Sequence, residues 1–155
     1  MLSGRLINII ENHAEELTQG AVKRLLASPH TPSYHHLSAS DLHHRVYEVY
    51  HDLGRWLLNS TDQTIQDRYV ELGTDRFKEG IPLSEVLWAL VLTKDHMREW
   101  VATAICVDSA LDLFREREIY RLIEHFFDRA MCFAAEAYDG EVSQQRERHL
   151  ASIGR

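Results

Sequence analysis

Proline and glycine are scarce in this chain of 155 residues, with 3 and 7 copies. That is too little punctuation for the many tight turns of an all-β fold. Cysteine is scarcer still, and Cys106 and Cys132 each sit within apolar helical sequence, as in Ala104-Ile105-Cys106-Val107 and Ala130-Met131-Cys132-Phe133. The reading expects two buried reduced thiols and no disulfide. No apolar run approaches the roughly 20 residues that span a bilayer, and the N-terminal MLSGRLINII carries a charge and a helical period where a signal peptide would have neither. A cytoplasmic protein without membrane contact is expected. Excess positive charge is also missing, since the formal net charge is −7, which argues against a phosphate-binding surface for nucleic acid. A Gly-rich phosphate loop, paired zinc cysteines and a nucleophile elbow are all absent from the sequence. These absences point away from an enzyme.

What is present is apolar periodicity. With 45% hydrophobic residues the chain can bury one substantial core, and a spacing of about 100° per residue divides it into five helices. The first covers Ser3 to Ala27, with Leu6, Ile9, Ile10, His13, Leu17 and Ala21 on one face. A loop through Pro29 and Pro32 runs to Leu37. The second covers Ala39 to Leu58, opened by Ser38 with Asp41 and striped by Leu42, Val46, Val49, Leu53, Trp56 and Leu57. Ser60 with Gln63 repeats that cap, so a third helix starts near Thr61 and ends at Gly80. The fourth runs from Pro82 to Cys106. Asp108 or Ser109 caps the fifth, whose wide stripe of Ile119, Leu122, Ile123, Phe126, Ala130, Phe133, Ala134 and Ala137 ends near Tyr138. Asp139-Gly140 is read as a fraying point. Residues 1–140 then form an all-α antiparallel helical bundle, and the polar residues 141–155 form a tail or a helix extension.

The sharpest local signal is Glu79-Gly80-Ile81-Pro82, a stop and a restart. Gly80 can close one helix in the left-handed conformation, and Pro82 suits the first turn of the next. Glu85 follows in that first turn, where a carboxylate favours the helix dipole. Val86 to Leu92 is apolar nearly all round, so the fourth helix needs neighbours on more than one side. Trp88, Leu92 and Trp100 form a second strip off the Leu83–Leu90–Val101 line, and this strip is the expected dimer interface.

Ten histidines invite a metal hypothesis. On the second helix His44, Glu48, His51 and Arg55 share a face opposite the apolar stripe, and the Glu48–His51 spacing of di-iron bundles has no second copy. No metal set is expected. His13 falls within an apolar stripe and Lys94 aligns with Leu87, Leu90 and Met97, which makes them the two cofactor-binding candidates, with a structural ion pair the leading reading of Lys94. No specific cofactor follows from either. The rival to an interaction module is a haem- or metal-binding bundle using His13 or the clustered histidines.

The segment Arg76-Phe77-Lys78-Glu79-Gly80-Ile81-Pro82-Leu83-Ser84-Glu85-Val86-Leu87-Trp88-Ala89-Leu90 resembles the G-[IR]-P-L-x-E-[VL]-L-x-A signature of the N-terminal domain of RsbT co-antagonist proteins of the RsbRD type. Phe126-Phe127-Asp128-Arg129-Ala130 and Tyr138 resemble that domain's last helix. The resemblance implies a helical sensory or protein-interaction module that dimerises and relays a signal to an output domain, with no catalytic residues. The 15 residues after Gly140 are too few for a STAS or kinase output, so the expectation is a module acting in trans on a signalling partner, or the input of a longer protein.

Overall fold

The computed structural model describes residues 2–59, 61–104 and 109–155. It contains five α-helices, α1 Leu2–Ala27, α2 Ala39–Asn59, α3 Asp62–Lys78, α4 Leu83–Ala104 and α5 Ala110–Ile153, with a 3-10 turn at Pro32–His36. No strand occurs among the described residues. None of these helices is long and apolar enough to cross a membrane.

The helix ends follow the expected chemistry. Ser38 Oγ accepts the Asp41 N–H at 3.1 Å, and Ser109 Oγ accepts the Asp112 N–H at 3.1 Å, each satisfying a donor that the first turn leaves open. Thr61 caps α3 by accepting the Gln63 N–H at 3.1 Å. The expected caps Ser60 and Asp108 lie outside the described residues, as does Cys106. At the stop and restart Gly80 takes φ 75°, while Gly80 N–H donates to the Phe77 carbonyl and Ile81 N–H to the Arg76 carbonyl. That pair of bonds is a Schellman closure. The Pro82 carbonyl then accepts from Glu85 and Val86 to start α4.

Two expectations fail along α5 and at its cysteine. The fraying expected at Asp139-Gly140 does not occur, and α5 continues to Ile153, 44 residues in all, in line with the helix-extension alternative for residues 141–155. A lone glycine costs a helix only about 1 kcal/mol, and good helix formers lie within a turn or so on each side, at Ala134 to Ala137 and Gln144 to Arg148. Cys132 is exposed, because α5 buries Ile119, Ile123, Phe126, Phe127, Ala130 and Ala134 and that line turns the neighbouring cysteine outward.

The all-α expectation holds, but the packing is not that of a simple up-and-down order. α3 packs far more extensively on α5 than on α2 or α4, and α1 lies against both α2 and α4. α3 and α5 approach tightly at Gly73, where a Cβ would strike the Ala134 carbonyl and backbone. One continuous apolar core results, with Tyr50, Tyr69, Phe126 and Phe127 its largest fully buried side chains.

The crossing of α1 and α4 holds a different feature. Any Cβ at Gly20 would strike the His96 ring, and both His96 nitrogens are buried without a hydrogen-bond partner. Burial, reinforced by the Arg24 charge and opposed by Glu99, holds the His96 pKa below the ordinary histidine range. A histidine with a lowered folded pKa stays neutral in the native state while the unfolded chain takes up protons. Its contribution to stability is therefore complete above about pH 6.5 and is lost as pH falls from there through the folded pKa. Urea titrations at pH 7.5 and 5.5 should show a larger loss for the native sequence than for His96→Leu; equal losses would remove His96 as the cause.

Candidate functional site

The break between α3 and α4 is bound from three sides, which accounts for the signature residues around it. Arg45 on α2 pairs with Asp41 at 3.0 Å and Glu79 at 2.6 Å, and Arg76 reaches the same Glu79 at 2.8 Å. Hydrogen bonds from Arg45 and the charges of Arg76 and Arg45 hold the Glu79 carboxyl below its ordinary range, against the opposing effect of partial burial. Glu85 is buried. Its carboxylate accepts the Ser33 N–H at 2.6 Å and the Ser33 hydroxyl at 2.7 Å, fastening the 3-10 turn to the start of α4. Tyr138 on α5 donates to the Ile81 carbonyl at 2.7 Å, with its ring edge-on to Phe77. The sequence placed Glu85 near a helix dipole. The fold uses it as a clamp.

A cavity of about 320 Å3 opens between α2 and α3 over Phe126 of α5, lined by Asp52, Arg55, Thr64, Arg68 and Tyr69 among others. Asp52 is its buried charge. Burial pushes the Asp52 carboxyl up to about 6 against the opposing charge of Arg68, and the neighbouring Glu48 charge adds to the rise. Tyr69 donates to Asp52 Oδ2 at 3.3 Å, and Arg68 Nε lies 3.3 Å from the same oxygen. Periodicity missed Asp52, although a charge three residues after Val49 and four before Trp56 is a detectable intrusion into the α2 stripe.

The other sequence-selected residues are scattered. His13 is not inward: it sits at a kink in α1 (φ −128°, ψ 16°), its side chain is 41% exposed, and its ring rests 4.6 Å from Trp100. The stripe places it inside only if α1 is straight. Lys94 is half-buried and forms no ion pair among the described residues, contrary to the expected structural pair. Neither residue lines the cavity. His30 stacks on Trp88 at 3.9 Å, His35 bonds the Leu25 carbonyl at 2.8 Å, and His43 reaches Glu15 on α1 at 3.0 Å. His44 and His51 are exposed. Of the expected interface strip, Trp88 is 39% exposed, whereas Leu92 and Trp100 are partly buried against the core of their own chain.

Residues 15–153 match the model of the RsbT co-antagonist protein rsbRD N-terminal domain. The chain belongs to this family. The matched residues include the Gly80–Pro82 junction and the clamps around it, the strongest motif of this RsbRD N-terminal domain. The fold is similar to that of the globin domain of E. coli DosC, solved in a ferric form, at 17% identity and a TM-score of 0.58 over 87% of this chain and 88% of that one. That likeness concerns the fold alone. No curated protein matches the chain.

Neither of the two cavities that border α2 and the core at Tyr34 and at Asp52 fits haem among the described residues. The apolar void beneath Tyr34, between α2 and α4, measures about 30 Å3, room for roughly one water, whereas a cofactor pocket needs on the order of several hundred Å3. The larger cavity is lined by charges and offers no histidine. His13, the intended axial candidate, faces Trp100 and solvent.

Proposed function

We propose that this RsbRD N-terminal domain is a non-enzymatic input module that pairs as a homodimer and passes a conformational change along α5 to an output domain or a signalling partner. The observation that carries the reading is the far end of α5, which is helical to Ile153 while every residue from 143 to 155 is exposed. A helical stretch this short is marginal in water without packing. A second α5 alongside it would supply that packing, and Leu150 and Ile153, 63% and 66% exposed and one turn apart, offer apolar contacts for it. Family membership supports the same role, and the clamps at the α3–α4 break tie that junction to α2, the 3-10 turn and α5.

Trp88 is the sound place to test pairing. Leu92 packs on its own core, so a charge there would disturb the fold as well as any interface. The native chain should sediment as a dimer, and Trp88→Glu should weaken association by at least about 2 kcal/mol, roughly thirtyfold, as a buried interfacial tryptophan does, without loss of helical signal. A monomer at high micromolar concentration would remove the homodimer.

A further inference from the structure

On α2, Glu48, His51 and Asp52 occupy positions i, i+3 and i+4, the spacing that brings side chains onto one face of a helix. A Glu48 carboxylate oxygen, a His51 ring nitrogen and an Asp52 carboxylate oxygen all lie within 4.8 Å of one another. Ligands on a tetrahedral ion with bonds of about 2.1 Å stand roughly 3.4 Å apart. The half-buried Glu48 and exposed His51 have the solvent-side freedom to close that gap.

A second observation comes from Asp52 itself. Its side chain is 8% exposed, and both of its partners, Tyr69 and Arg68, meet Oδ2. Oδ1 is left with no hydrogen-bond donor among the described residues. Oδ1 is not among the fully buried unpaired side-chain atoms, so it stands at the solvent edge of the site, open to water or to a cation. The Glu48 carboxylate beside it adds repulsion. A cation between the two carboxylates would take the open Oδ1 as a ligand and relieve that repulsion.

We propose that Glu48, His51 and Asp52 bind one divalent transition-metal ion of the zinc and cobalt class, with Asp52 as the fixed ligand, His51 as the specifying one and water in the open positions. One imidazole with two carboxylates suits such borderline ions and lacks the thiolate or thioether that Cu(I) prefers. Arg68 on Oδ2 orients the carboxylate from behind, as outer partners of metal ligands do. The fold does not need the ion, because Leu53, Trp56 and Leu57 anchor α2 in the core without it.

The metal-stripped chain of 155 residues titrated with Zn2+ by calorimetry, and with Co2+ by visible absorption, should bind one ion per chain. Asp52→Asn and His51→Ala should each weaken binding by more than about tenfold, and His44→Ala should leave it unchanged. His51 is exposed, so His51→Ala carries the test even where Asp52→Asn loosens the fold. Absence of binding would overturn the proposal, as would an affinity indifferent to His51→Ala or lost on His44→Ala. The ion's meaning as a stimulus rests on the signalling reading. An ion that binds through these three ligands but leaves a fused output unmoved would keep the site and count against that reading alone.

Discussion

Gly73→Ala should lower the melting temperature by roughly 5 to 10 °C, equivalent to about 2 to 3 kcal/mol for a domain of this size. Gly73 faces Ala134 across the most extensive helix pair in the molecule, and a methyl there would meet backbone, not a flexible side chain. Backbone cannot rotate away. The two helices would have to separate, which is overpacking of the costliest kind, about 3 kcal/mol or more before the better helix propensity of alanine returns up to about 1 kcal/mol. Gly140→Ala provides the contrast, since a Cβ at Gly140 meets nothing within 4 Å inside the continuous α5. It should stabilise by roughly 0.5 to 1 kcal/mol. Similar losses from both substitutions, measured by thermal and urea unfolding, would mean that the α3–α5 contact is not as close as described.

Elements were legible where a residue type has one dominant use. Gly80 with Pro82, Ser38 with Asp41, and Ser109 each fix a helix end through backbone chemistry that does not depend on neighbours. Faces were less legible, because a period says which residues line up but not what covers them. Hence His13 turns to Trp100 at a kink, Cys132 faces out, and the pairing of α3 with α5 is invisible to periodicity. Two titratable residues, Asp52 and His96, drew no expectation for the same reason. Asp52 lies at the edge of a stripe, and the half-buried His96 fits its ring against a glycine on another helix. Glycine leaves no mark in a hydrophobic pattern. Glu85 was noticed, but a partner 52 residues earlier in the chain cannot be read from spacing.

Relay through α5 makes a demand on helical phase. Because α5 passes Gly140 without a break, four residues inserted after it would turn everything beyond by about 40° relative to the body, while seven would return to within roughly 20°. If two α5 ends leave a dimer side by side, the first insertion mispairs their contacts and the second nearly restores them. A partner recruited by the body alone would register neither. The decisive measurement is therefore the output of a fusion that joins the domain through α5 to its natural or a surrogate effector. The account predicts that the four-residue insertion changes signalling strongly, by several-fold, and the seven-residue insertion little. Equal effects from the two insertions would contradict it.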